Sequence, residues 1–134
     1  MDVLYFEVGK YPRVVQVEGL EGMQRLVDGY IGASYPFNEL AALVVNDDGL
    51  SLNLSFNRIV GPSPIVGNFF IAGIGDEDFI SLPPELVKKF SEKFYYPEIA
   101  IRDSSAPYGI SGIPMSETIY AHFVGRNPAN SPER

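Results

Sequence analysis

Few residues in this chain are of the types that carry covalent or metal chemistry. There is no Cys, and His122 is the single histidine. The lack of Cys removes thiol catalysis, disulfides, thiolate zinc sites and iron–sulfur clusters. Asp76, Glu77 and Asp78 are hard-cation ligands by type. A Ca²⁺ or Mg²⁺ site needs oxygens converging from several segments, so three adjacent carboxylates read as a solvated turn before a helix. Asn46-Asp47-Asp48-Gly49 is similar to half of an EF-hand loop, but Val44 stands where an acid is needed and no Glu follows at the right distance. Gly73-Ile74-Gly75 would open a dinucleotide fingerprint only with Gly at position 78, which is Asp78. No nucleophile-elbow motif accompanies His122, which reads as a surface histidine. No catalytic residue, no metal ligand and no cofactor is therefore assigned.

Arg58 is the exception. It is the only basic residue between Arg25 and Lys88, and it stands beside Asn57 at the end of an amphipathic stretch. An isolated Arg most often forms a structural salt bridge or caps carbonyls. The alternative is recognition of an anion or a partner, together with Tyr11 and Asn57. Tyr11, Asn57, Arg58 and Asp78 are taken as the candidate binding residues. The chain also holds eight Tyr and nine Phe with no Trp. Tyr11, Tyr35, Phe37, Tyr95, Tyr96 and Tyr108 lie in loops or near breaks. Aromatic side chains in such places are enriched at interfaces, although core packing is the commoner role for each one taken singly.

These residues have to be positioned by local elements. Residues 3–8 and 13–17 read as strands, separated by Lys10-Tyr11-Pro12, which suggests a hairpin. Leu20, Met23, Leu26, Val27, Tyr30 and Ile31 recur at helical spacing and predict a helix over 19–30, with Gly29 or Gly32 supplying a left-handed cap. Residues 41–45 read as a buried strand. Leu50, Leu52, Leu54 and Phe56 alternate with polar residues and predict a strand over 50–57, paired with 41–45 across the Asn46–Gly49 turn. Gly61-Pro62-Ser63-Pro64 reads as a loop. Residues 68–74 are apolar on both faces and predict a central strand. Pro83-Pro84-Glu85 opens a helix with Leu86, Val87, Phe90 and Phe94 as its buried stripe, ended by Pro97. Residues 119–124 predict one late strand, and the tail from 126 to 134 is expected to be disordered.

The sum is an α+β fold, a small mostly antiparallel sheet with two helices on one face. At 134 residues the chain suits one domain over 1–102. A Pro/Gly/Ser-rich extension covers 103–134, with four Pro, three Gly and five Ser. A net charge of −7 argues against phosphate-backbone binding, so no direct nucleic-acid binding is expected. The start of the chain has no basic, then apolar, leader pattern, and the most apolar stretch, 64–75, is too short to span a membrane. A cytoplasmic protein is expected, without membrane contact. Unprotected edge strands make a homodimer a reasonable expectation.

Six local signatures occur in order: Val8-Gly9-Lys10-Tyr11-Pro12, Leu26-Val27-Asp28-Gly29-Tyr30-Ile31, Tyr35-Pro36-Phe37, Asn46-Asp47-Asp48-Gly49, Asn57-Arg58, and Phe70-Ile71-Ala72-Gly73-Ile74-Gly75 with Glu77-Asp78-Phe79. In order and spacing the chain resembles, from about residue 3 to residue 98, the family called domain of unknown function 3846. The resemblance implies a small bacterial accessory protein of the kind carried on phage or conjugative elements, with no activity and no catalytic residue to carry over. The segment between Arg58 and Gly67 is shorter than the family pattern. The reading that follows is a non-catalytic protein-interaction or regulatory module with an unknown protein partner. Two alternatives stand beside it. One is a small-ligand-binding or hydrolytic α+β enzyme, marked by a pocket in which Arg58 or Asp78 meets other polar groups. The other is an acidic DNA mimic that inhibits a nucleic-acid enzyme.

Overall fold

Val3, Leu4, Tyr5 and Phe6 are buried without a break, so the first strand is covered on both faces. The computed structural model describes residues 1–126, and of Arg126 only the backbone. Strand β1 (Asp2–Phe6) pairs antiparallel with β2 (Arg13–Gln16), as the Lys10-Tyr11-Pro12 break predicts. On its other side β1 pairs with β7 (Phe69–Ile74), Leu4 opposite Ile71. β7 pairs in turn with β4 (Ala41–Asn46), and β4 with β3 (Ile31–Ser34). The sheet order is β2-β1-β7-β4-β3, with β8 (Phe79–Ile80) paired on the end of β7. The apolar run of 68–74 thus occupies the centre, as its two-faced pattern requires.

Two hairpins stand outside this sheet: β5 (Phe56–Val60) with β6 (Ser63–Val66), and β9 (Glu98–Arg102) with β10 (Ile110–Pro114). Every strand pairing is antiparallel, and α1 (Gly19–Val27), α2 (Pro84–Lys93) and α3 (Glu117–Arg126) complete an α+β fold.

The expectation that two helices share one face is corrected. Val3, Tyr5, Val44 and Phe70 face α1 through Met23, Leu26 and Val27. Leu4, Phe6, Phe69 and Ile71 face the other way, onto Phe90 and Phe94 at α2. The reason lies in the central strands. With both parities apolar, a helix layer on one side alone would leave the other side wet, and each such buried side chain is worth about 1.5–3 kcal/mol.

The strand expected over 50–57 is also corrected. Residues 50–54 form consecutive turns, with Leu52 N donating to Asp48 O, Asn53 N to Leu50 O and Leu54 N to Gly49 O. Leu50 is 84% and Leu52 55% exposed, so the alternation lines no buried face. No edge of β4 was left for such a strand, because β3 and β7 hold both sides. Of the expected loop Gly61-Pro62-Ser63-Pro64, only Gly61 (φ 63°) and Pro62 form the turn of the β5–β6 hairpin, and Ser63 and Pro64 already pair with Val60 and Ile59.

α1 ends at Val27, three residues before the expected limit, and the left-handed cap is Asp28 (φ 62°), not Gly29 or Gly32. Asn46 decides this. Its Nδ2 donates to the carbonyls of Val27 (3.0 Å) and Asp28 (3.2 Å), closing the helix end from β4.

The late strand expected over 119–124 is α3. Tyr120 and Val124, four residues apart, are the buried pair that packs with Val8 and Ile99. Ser116 Oγ accepts the amide of Ile119, three residues on, which caps the first turn. A run apolar at nearly every position supports either period, and the Ser116-Glu117 start was the helical sign. The expected tail, from 127 on, lies outside the described residues. Among the described residues, no helix is long and apolar enough to cross a membrane.

Candidate functional site

In a regular strand Asn57 and Arg58 would point to opposite faces. Here β5 has a bulge: Phe56 pairs with Val66 and Arg58 with Ile65, so two steps on β5 match one on β6. Both side chains turn inward, and both are 0% exposed.

Arg58 is the largest fully buried side chain among the described residues. Its Nη1 donates to Asn57 Oδ1 (2.7 Å) and its Nη2 to the carbonyls of Lys10 (2.8 Å) and Tyr95 (3.5 Å). Its Nε donates to the carbonyl of Tyr96 (3.2 Å). The guanidinium carbon lies 5.2 Å from the Phe6 ring centre, a cation–π distance. Asn57 Nδ2 in turn donates to the carbonyls of Phe6 (3.0 Å) and Gly67 (2.9 Å). One strand pair thereby holds the end of β1, the turn before β2, the turn after β6 and the chain leaving α2.

Burial pulls the Arg58 pKa down to about 10, while the nearby Glu98 carboxylate and Tyr120 act in the opposite sense. Glu98 accepts the amide of Ile59 (2.9 Å), and burial raises its own pKa. Gly112, across the hairpin from Ala100, leaves room for that carboxyl: a Cβ there would sit 1.9 Å from Glu98 Oε1.

Tyr11 stacks on Tyr95 with ring centres 4.4 Å apart, and Tyr96 meets it edge-on. Its backbone amide donates to Glu117 Oε2 (2.6 Å), and its hydroxyl accepts the Glu117 amide (3.3 Å). It therefore closes the start of α3 onto the β1–β2 turn. Gly9 beside it has φ 79°, and a Cβ there would be 2.5 Å from Tyr120 Cε1.

Of the four candidate residues, Asn57 and Arg58 form one buried hub, and the half-buried Tyr11 adjoins it through Tyr95 and Tyr96, whose rings it touches and whose carbonyls accept from Arg58. Asp78 lies elsewhere, in the turn between β7 and β8, where its carbonyl accepts the amide of Gly75 (2.9 Å). That turn borders a half-open cleft of about 790 Å³ whose apolar lining includes Met23, Tyr35, Ile74 and Phe79. Sequence reasoning missed Glu98, Glu117 and the carbonyls of Lys10, Tyr95 and Tyr96. Backbone acceptors leave no trace in residue type. For Glu98, the signal was a carboxylate between Pro97 and an apolar Ile99.

A family model described as domain of unknown function (DUF3846) matches residues 1–95. The chain belongs to that family. The matched region of this DUF3846 protein holds both sides of the helix-covered sheet, and Tyr95, whose carbonyl accepts from Arg58, is its last residue. Searches of the curated proteins and of the solved structures return no match.

Proposed function

We propose that this chain is a cytoplasmic, non-catalytic protein-interaction module, an accessory protein that regulates its partner by binding it. The observation that carries the reading is the β3 edge. β3 ends the sheet order, so among the described residues no strand pairs with its outer side, and Ile31-Gly32-Ala33-Ser34 bears no charge. Tyr30 (71% exposed) and Tyr35 (61% exposed) flank it. The opposite edge is blunted: Pro12 precedes β2, and the exposed Arg13 is ion-paired with Glu7. An uncharged open edge with aromatic flanks suits strand addition by a partner or by a second copy of this chain.

The test is capture with tagged protein from the native host at moderate salt, read by mass spectrometry, beside sedimentation of the pure protein. One protein recovered at near-equal amount, or a dimer, that is lost with Ala33→Lys and with Tyr30→Ala supports the reading. Bait alone, sedimenting as a monomer, rejects it. A second reading, small-ligand binding, is supported by the cleft in which Asp78 stands near Glu18, Asp76 and Glu77. A thermal-shift screen that raises Tm with one metabolite and spares an Asp78→Asn protein would favour it.

A further inference from the structure

The cleft between the start of α1 and the β7–β8 turn has two unlike walls. Met23 lies on the helix and Ile74 and Phe79 on the strands, and Tyr35, 61% exposed, also lines the cleft. These make an apolar floor. Asp76, Glu77 and Asp78, all exposed, stand along the other wall. The turn that carries them is tight: the Gly75 amide is bonded to the Asp78 carbonyl, and a Cβ at Gly75 would meet Ile80 Cγ2 at 2.7 Å. The turn therefore keeps all three residues on the border of the cleft.

Their charge is not neutralised from within. Among the described residues none of the three is in an ion pair. The Met1 amine, a cation on the cleft lining, is already held by Glu18 (2.6 Å) and the Val17 carbonyl (3.0 Å). Arg25, on the same helix as Met23, pairs with Glu21 at 3.9 Å. An occupant complementary to both walls is cationic on one side and apolar on the other.

We infer that this cleft docks a basic amphipathic segment of a partner protein, a Lys or Arg set against Asp76, Glu77 and Asp78 with a neighbouring aliphatic or aromatic side chain on Met23, Ile74 and Phe79. The inference rests on the interaction-module reading and names a chemistry for it. Because the carboxylates are exposed, the attraction is screened by salt.

The experiment uses the full chain and three labelled nonapeptides followed by fluorescence anisotropy. The first carries Lys and Arg among Leu and Phe. The second replaces each basic residue by Glu, and the third replaces each apolar residue by Ser. Only the first is expected to bind, at least fivefold more weakly at 300 mM than at 50 mM salt. D76N/E77Q/D78N is expected to weaken it at least tenfold with Tm unchanged, while E85Q/E92Q, on α2 across the sheet, leaves it as it was. Amide NMR shifts are expected at Met23, Tyr35, Ile74 and Phe79. Equal binding of the first and third peptides, or no effect of the triple substitution, overturns the inference. Full displacement by equimolar spermidine also overturns it, in favour of a small cation. Partner capture that survives the triple substitution but fails with Ala33→Lys removes the cleft proposal and leaves the module standing.

Discussion

The Arg58 hub and the acidic cleft use the same materials, charge beside aromatic rings, to opposite ends. At the hub the cation is 0% exposed, and each of its three nitrogens reaches an acceptor. At the cleft three carboxylates stand in solvent with no ion-pair partner among the described residues. A buried charge must be satisfied by its own chain, because leaving it bare costs several kcal/mol, roughly 3–5 when one partner is removed. An exposed charge is satisfied by water and remains available to a ligand. On the reading proposed above, the hub serves folding and binding falls to the cleft, and substitutions should separate the two.

The largest effect is expected at the hub. Arg58→Met keeps much of the volume but strands the carbonyls of Lys10, Tyr95 and Tyr96 and the Asn57 oxygen. Each acceptor left unsatisfied in the interior costs about 1–3 kcal/mol, so a marked loss of stability is expected, read as a lower urea midpoint. A midpoint unchanged within error would break the comparison at its root. Next is Gly9→Ala, which sets a Cβ against the Tyr120 ring at a positive φ. It should cost about 1–3 kcal/mol, with amide exchange rising first in α3.

A smaller effect sharpens the cleft side. The Tyr5 hydroxyl donates to the Leu26 carbonyl (2.8 Å), tying α1, one wall of the cleft, to the sheet. Burial raises the Tyr5 pKa from 10.0 to about 12, aided by Glu7 and Asp28. The folded state thus holds this proton where the unfolded chain has lost it. Its stabilisation is present below pH 10 and is lost as pH rises toward 12. Tyr5→Phe should cost about 0.5–1.5 kcal/mol at pH 7 and flatten the alkaline fall of Tm in that window. The smallest effect is expected from D76N/E77Q/D78N, within about 0.5 kcal/mol of the parent stability. A large loss there would make the acidic turn a structural element after all.

The candidate site was half legible. Arg58 stood out because a lone cation in a long acidic and apolar stretch needs a reason, and Asn57 and Tyr11 were named with it. That Asn57 and Arg58 both turn into the interior rests on the bulge at β5, which residue type does not encode. Asp78 is grouped with them by sequence but lies in the β7–β8 turn beside a different cleft, because sequence distance says nothing about which loops come together.

Composition and periodicity alone determined the absence of thiol chemistry, the central strand over Phe69–Ile74, the β1–β2 hairpin and the helices α1 and α2. Each follows from a local rule: a side-chain period, a proline break, a missing element type. Tertiary structure decided the rest. It placed the helices on opposite faces, denied residues 50–54 a partner strand and made a helix of Glu117–Arg126. In each of these the local pattern allowed two outcomes. The free energy that chose between them came from which surface was left to cover, a property of the assembled chain and not of any one segment.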